Sequence, residues 1–293
     1  MRRKLDGVLL LDKPVGPSSS AVLQAVKRLL NADKAGHAGT LDPLASGLLP
    51  LLFGEATKFA QFGLDAAKEY VADVRLGTAT DTGDAEGAVI EQKPAVVDEG
   101  QLLRALAGFR GEISQVPPMY SALKKDGQPL YALARAGQTV EREPRRVTIY
   151  ELELVSRDAD LVRLRIRCSK GTYVRQIAVD LGLALRTVAH LTGLRRTAVA
   201  GLRLDQSVAL DDLQALGEAS RAAWLLPPER LLEHLPRVDL DEGVASRFRN
   251  GQAVRAEGVR QGPVRVYREG ILMGVGEGGP EGELQPSRLI ASG

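Results

Sequence analysis

One carboxylate in this chain sits where the backbone around it can barely relax. Asp42 lies within Gly36-His37-Ala38-Gly39-Thr40-Leu41-Asp42-Pro43-Leu44-Ala45-Ser46-Gly47, which holds three glycines and one proline. Gly36, Gly39 and Gly47 tolerate positive φ and the close approach of another chain or a ligand. Pro43 fixes its own φ and pushes Asp42 toward extended geometry. A carboxylate held this way, with an imidazole five residues before it, is aimed at a partner. The same residues also allow an Asx-type N-cap for a helix starting at Pro43, and both readings stay open here.

The rest of the chain must position that side chain. At 293 residues it can bury a full core and form one large domain plus a small one. Apolar residues make up 44% and charged residues 26%, an ordinary balance for a soluble protein. Only 4% are aromatic, so the few that stand beside glycines and arginines draw attention. A single cysteine, Cys168, excludes an intramolecular disulfide and suits a reducing cytoplasm. The basic start Met1-Arg2-Arg3-Lys4 leads to only four apolar residues, Val8 to Leu11, too few for a signal-peptide core. No apolar run approaches membrane-spanning length. The expectation is a soluble cytoplasmic protein without membrane attachment.

Charge is placed unevenly. Residues 161–200 carry eight cations (Arg163, Arg165, Arg167, Lys170, Arg175, Arg186, Arg195, Arg196) against one acid, Asp180. Such a block is expected to face phosphate, although Arg163, Arg165 and Arg167 alternate as the solvated face of a strand would. Between Pro117 and Arg146 a second basic stretch is bounded by prolines and glycines, with Lys124, Lys125, Arg135, Arg142, Arg145 and Arg146 outnumbering Asp126, Glu141 and Glu143. Long loops of this kind commonly order on a partner.

Periodicity gives the elements. Leu9 to Leu11, Leu48 to Phe53, Glu69 to Leu76, Arg146 to Val155 and Leu161 to Cys168 read as strands. Helical spacing runs from Ser18-Ser19-Ser20 through Val22, Leu23, Val26, Leu29 and Leu30, over Ala56 to Phe62, over Asp98 to Leu106, and from Tyr173 to Leu185. Gly77 to Asp84 is a polar loop of small residues. The mix lacks strict βαβ alternation, hence an α+β class with a mixed sheet. Near residue 237 the pattern changes to short β-like runs split by glycines, which marks a small β-rich C-terminal domain.

Five stretches in order carry a specific resemblance. They are Leu11-Asp12-Lys13-Pro14-Val15-Gly16; Gly36-His37 through Asp42-Pro43; Lys68-Glu69-Tyr70; Gln115-Val116-Pro117-Pro118-Met119-Tyr120-Ser121-Ala122-Leu123-Lys124; and Cys168-Ser169-Lys170-Gly171-Thr172-Tyr173-Val174-Arg175. Together they closely resemble the TruB family of tRNA pseudouridine synthases from about residue 5 to about residue 200. The tail from about 237 is similar, more weakly, to the small RNA-binding domain called PUA.

The resemblance implies a pseudouridine synthase fold, with a central mixed or antiparallel sheet flanked by helices over 1–236, an RNA-gripping insertion at 117–146, and a PUA-like domain over 237–293. It implies isomerisation of uridine to pseudouridine at position 55 in the T loop of tRNA, with no metal or organic cofactor. Asp42 matches the catalytic aspartate, Arg175 the arginine paired with it, and Tyr70 the tyrosine that stacks on the base and is a candidate acceptor of the C5 proton. Tyr173 matches a second site tyrosine and Leu194 a position touching the target nucleotide. His37 matches the residue that fills or holds the space left by the extruded base. Lys13 and Lys124 stand in matching motifs and are expected substrate contacts, whereas His190 and His234 are expected to be structural or solvated. The expected partner is the tRNA T arm or elbow, met by a monomer without an obligate protein partner. Two other readings are weighed beside it: a tRNA-folding chaperone that needs no catalysis, and a guide-RNA-dependent relative within a larger particle.

Overall fold

Every residue of Gly7–Lys13 except Asp12 is buried, which requires a strand covered on both faces rather than an edge. The computed structural model describes residues 2–121 and 123–291. Ala122 of the fourth motif, and Met1, Ser292 and Gly293 at the ends of the two expected domains, lie outside the described residues. The chain first forms β1 (Gly7–Lys13), α1 (Ser19–Leu29), β2 (Ala35–His37), β3 (Ala45–Phe53), α2 (Ala60–Asp65), β4 (Lys68–Leu76), β5 (Thr78–Thr80), β6 (Val89–Gln92), α3 (Glu99–Ala107) and β7 (Gly111–Gln115). There follow β8 (Lys124–Lys125), β9 (Gln128–Pro129), α4 (Leu130–Arg135), β10 (Arg145–Asp158), β11 (Leu161–Cys168), α5 (Val174–Ala184), β12 (Ala189–Val199), β13 (Leu202–Arg203) and β14 (Val208–Ala209). The last strands are β15 (Arg237–Asp239), β16 (Val254–Arg255), β17 (Gly262–Arg268), β18 (Ile271–Gly278) and β19 (Glu283–Leu289).

The large sheet runs β14-β1-β3-β12-β4-β11-β10-β7, with β2 added to β3 and β13 to β12. β12 is parallel to β3 and antiparallel to β4, so the sheet is mixed and the α+β class holds. Period-two alternation sorts β4: Lys68, Tyr70, Ala72, Val74 and Leu76 point into the core, and Glu69, Val71 and Asp73 point the other way. Against the inner face pack α1, through Val22, Leu23 and Val26, and α5, through Val174, Ile177, Ala178 and Leu181. Ser18 caps α1 by accepting the Ala21 N–H, and Asp98 with Gln101 forms a capping box on α3. Gly182 lets α5 settle onto β12, because a Cβ there would lie 2.5 Å from the Ala189 nitrogen.

On the outer face the basic block of 161–200 finds acids from other strands. Arg163 pairs with Asp73, Arg165 with Glu153, Arg167 with Glu151 and Arg195 with Asp12, while Lys170 pairs with Asp65. Arg175 and Arg196 are buried. The block is therefore not an open phosphate-facing surface: cross-strand neighbours far apart in sequence neutralise most of it. Exposed pairs of this kind are screened by water and add little stability, so the lattice orders the face more than it stabilises it.

Two local expectations change. The helix read over Ala56 to Phe62 begins as a 3-10 turn, Gly54–Phe59, because Thr57 Oγ1 bonds back to the Gly54 carbonyl at 2.7 Å, and only then becomes α2. Asp42 caps no helix. After a turn at Pro43–Leu44 the chain enters β3, where Ala45, Ser46 and Gly47 pair with Leu194, Arg195 and Arg196 of β12.

The smaller sheet, β15-β17-β18-β19-β16, has its own core around Val238, Phe248, Val264, Val266 and Leu284. Its Tyr267, Leu272 and Val275 also pack with Val8, Leu10, Leu48 and Phe59 of the larger unit. Lys58 Nζ donates to the Leu289 carbonyl at 2.9 Å, and the Ala291 N–H to Glu55 Oε2 at 2.6 Å, closing the same seam. Among the described residues no helix is long and apolar enough to cross a membrane.

Gly47 has φ +100°, and a Cβ there would lie 2.3 Å from the Arg196 carbonyl oxygen. Gly47→Ala is expected to cost at least about 2 kcal/mol in urea unfolding, from both φ strain and disruption of the β3–β12 pairing. A loss below 0.5 kcal/mol by that measurement, roughly the range of a bland surface change, would contradict this packing.

Candidate active site

The Asp42 loop is pinned from four directions by groups distant in sequence. Ser19 Oγ, at the start of α1, accepts the Leu41 N–H at 2.7 Å and donates to the Leu41 carbonyl at 2.9 Å. The Gly16 N–H donates to the Pro43 carbonyl at 2.9 Å. Lys13 Nζ donates to the carbonyls of Ala45 at 2.7 Å and Pro14 at 2.8 Å. Arg196 donates to the carbonyls of Leu48 at 2.8 Å, Gly39 at 3.1 Å and Thr40 at 3.3 Å. With its backbone held, Asp42 leaves its own side chain 48% exposed.

Arg175 meets that side chain from the first turn of α5. Its Nη2 donates to Asp42 Oδ2 at 2.8 Å and to the Tyr120 carbonyl at 2.8 Å. Its Nη1 lies 3.2 Å from Asp84 Oδ2 and donates to the Thr82 carbonyl at 3.3 Å. Asp84 is itself buried, and its other oxygen accepts from Thr82 Oγ1 at 2.6 Å and from the Glu86 N–H at 3.1 Å. The guanidinium thus bridges one hidden carboxylate and one open one. A planar fork holds the open carboxylate in a fixed direction, which a single ammonium would not.

Asp42, Arg175, Tyr70, Tyr173 and Leu194 line one cleft of about 370 Å³, a size suited to a small ligand or an extruded base. Tyr70 comes from the inner face of β4, opposite Arg196 of β12; burial pushes its phenol up, with Arg196 opposing, so it is a neutral hydroxyl near pH 7. Tyr173 sits just before α5, with its N–H donating to Gln115 Oε1 at 2.8 Å and its carbonyl accepting from Gln115 Nε2 at 3.1 Å. Burial raises its phenol too. Leu194, half-buried on β12, lies between Ala45 of β3 and Ala72 of β4. Lys68 also lines the cleft, donating to the carbonyls of Gly63, Leu64 and Ala66 at the end of α2. Burial pushes Lys68 down to about 8.

Three expected contacts lie elsewhere. Lys13 is wholly buried with its ammonium spent on two carbonyls, so it supports the loop and cannot touch a substrate. Lys124 is exposed on the β8–β9 hairpin, beside a separate hollow lined by Pro117, Leu123 and Arg142. His37 is on β2, paired to β3, rather than on a free loop, and it does not line the cleft. Its ring is half-buried and its Nδ1 has no partner among the described residues. His190 Nδ1 binds the Thr78 carbonyl at 2.8 Å inside the core, as a structural histidine would.

Ser19, Asp84 and Arg196 were not singled out by sequence reasoning. Nothing local separates Asp84 from Asp81 in the same polar loop, nor Arg196 from its exposed neighbour Arg195; only alternation along β12 could have turned Arg196 inward. Among the described residues no group of three or more His, Cys, Asp and Glu side chains is arranged to hold a metal.

Burial and the nearby Arg196 charge lower the His37 pKa below its ordinary 6.5, so the folded state disfavours the imidazolium. The unfolded chain then binds more protons below pH 6.5, and stability falls as pH drops through that value. Urea unfolding at pH 7.5 and 5.5 should show a smaller pH loss for His37→Gln than for the unchanged protein; equal losses would rule this contribution out.

The comparisons agree along the whole chain. Residues 27–174 match the family described as TruB family pseudouridylate synthase (N terminal domain). Residues 175–233 match the tRNA pseudouridylate synthase B C-terminal domain, and residues 236–290 match pseudouridine synthase II TruB, C-terminal. The chain is 54% identical over 291 residues to tRNA pseudouridine synthase B of Aromatoleum aromaticum, covering 99% of this chain and 94% of that protein. It is 56% identical over 300 residues to the protein of that name from Burkholderia mallei (strain NCTC 10247), covering 100% and 99%. A solved Cbf5-Nop10-Gar1 complex contains a chain with TM-score 0.73 and 31% identity, covering 92% of this chain and 78% of that one. The family models and relatives match this chain over nearly its whole length, around a clamped aspartate at the cleft: the chain belongs to the TruB family of pseudouridylate synthases.

Proposed function

We propose that this enzyme converts uridine to pseudouridine at position 55 in the T loop of tRNA, with Asp42 as the nucleophilic carboxylate. The observation that carries the reading is the ion pair of 2.8 Å between Arg175 and Asp42, beside Tyr70 in the cleft. The reaction breaks the C1′–N1 bond, turns the freed uracil and rejoins it to C1′ through C5. N1 gains a proton and C5 loses one, so every heavy atom is kept and no oxidant, reductant or group carrier is needed.

A base within a folded T loop must first be extruded, at a cost of a few kcal/mol. Tyr70 and Leu194 give the extruded base an aromatic and an aliphatic wall. Arg175 keeps the carboxylate directed at the sugar edge while the ring turns. Tyr70 is the candidate acceptor of the C5 proton and, being a neutral phenol, releases its own hydroxyl proton to water as it takes that one. His37, five residues before Asp42 on the adjoining β2, is the group we assign to the space vacated in the RNA.

In this reading residues 1–236 form the catalytic domain and 237–293 a PUA-like domain that meets RNA. The insertion 117–146 grips the substrate through exposed cations including Lys124, Lys125 and Arg145. The protein acts in the cytoplasm as a monomer on tRNA alone, without a guide RNA. The names of the curated relatives, which are tRNA pseudouridine synthases, support the tRNA substrate.

Unmodified tRNA transcript incubated with the protein alone should acquire pseudouridine at that single position, read by site-specific mapping. Asp42→Asn keeps the shape and removes the charge, so its single-turnover rate should fall at least about 1,000-fold while tRNA affinity stays near normal. Appreciable turnover by that variant would exclude Asp42 as nucleophile. Replacing Lys124, Lys125 and Arg145 together by Ala should weaken binding and reduce the salt slope by roughly 0.7 to 0.9 for each phosphate no longer neutralised. An unaltered slope would put the RNA on another surface.

A further inference from the structure

Arg196 is an expensive residue for what its backbone bonds alone would need. It is 1% exposed, and its guanidinium donates to three carbonyls, with no carboxylate among its partners, while Tyr70 stands opposite it on the neighbouring strand. Burying a cation without an opposite charge is costly, and a neutral amide could satisfy some of the same carbonyls at less expense. The arginine therefore has a use that its charge or its rigid fork serves.

Its place in the sheet shows what that use is. On β12, Arg196 stands opposite Gly47 of β3 on one side and opposite Tyr70 of β4 on the other. Its Nε and Nη atoms reach Leu48 beyond the Asp42 loop, and Gly39 and Thr40 just before Leu41 and Asp42. Gly39 has φ +125°, and a Cβ there would touch Nη1 at 3.4 Å, which places that glycine directly against the guanidinium. Arg196 and Tyr70 both line the cleft. One planar group thus touches both ends of the Asp42 loop and the ring that walls the base.

We propose that Arg196 is a positioning residue for the reaction, whose guanidinium fixes the Asp42 loop and the Tyr70 phenol relative to each other. Its effect on turnover rests on the pseudouridylation reading; the physical link between the two elements does not. An ammonium on a flexible stem cannot reach Gly39, Thr40, Leu48 and the phenol together, so lysine is not an equivalent here. Burial lowers the pKa of Lys13, His37 and Lys68, and the same cation adds to that effect while it opposes the burial of Tyr70.

The test is a double-mutant cycle of Arg196→Lys and Tyr70→Phe, read by single-turnover rate on tRNA transcript, tRNA affinity and thermal midpoint. Arg196→Lys alone should keep affinity within about threefold and lower the rate about 100-fold. In the Tyr70→Phe background the same change should cost at least about tenfold less, because the phenol it orients is absent. Equal costs in the two backgrounds, or more than half the rate retained by Arg196→Lys, would overturn the proposal. A second measurement does not need the lysine variant to fold. In the otherwise unchanged protein, Tyr70→Phe should shift the ¹⁵N-resolved Arg196 Nε–H signal and speed rotation of its guanidinium; unmoved signals would break the link. If the unchanged protein makes no pseudouridine, the functional reading fails while this spectroscopic comparison still judges the link.

Discussion

The site depends on a guanidinium held out of water between two carboxylates. Arg175 gives up its hydration for Asp42, Asp84 and the carbonyls of Tyr120 and Thr82. Of the two carboxylates only Asp42 opens to solvent, so its direction is set by the packing of α5 rather than by its own torsions. That packing rests on Leu181 and Ile177 in the core and on Gly182 against the backbone of β12. A change anywhere along this chain would be felt as a misaimed carboxylate, and geometry of this kind is worth several powers of ten in rate.

A second constraint is the use of cations as backbone clamps. Lys13, Lys68 and Arg196 all direct their N–H groups at carbonyls, and all three lose hydration to burial. Carbonyls partly compensate each charge. The loop therefore needs little regular structure of its own. Its rigidity comes from β1, the Gly16 segment, α1 and β12, which reach it from elsewhere in the chain.

The arginines on the outer face of the sheet serve differently. Arg163, Arg165, Arg167 and Arg195 lie in a lattice of acids supplied by β1, β4 and β10. A face that neutralises itself competes little for phosphate, whereas Lys124, Lys125 and Arg145 of the 117–146 insertion stay exposed. The small C-terminal sheet shares core with β1 and β3, so it is anchored to the same framework that carries the Asp42 loop.

The sequence by itself determined which residues have unusual freedom and which are restrained. Glycines and a proline around Asp42, alternation along β4, and the helical spacing after Tyr173 are local properties, and local sterics and burial read them out directly. The five motifs in order then named the family, which the full-length comparisons bear out. Tertiary structure decided what each charge faces. Lys13 moved from expected substrate contact to buried clamp, Asp84 emerged as the second partner of Arg175, and Arg196 turned inward while Arg195 turned out. Those outcomes depend on strand order and register, which bring residues 42, 84 and 175 together. Ion pairing acts over a few ångströms of space rather than a few residues of chain, so no local pattern could encode it.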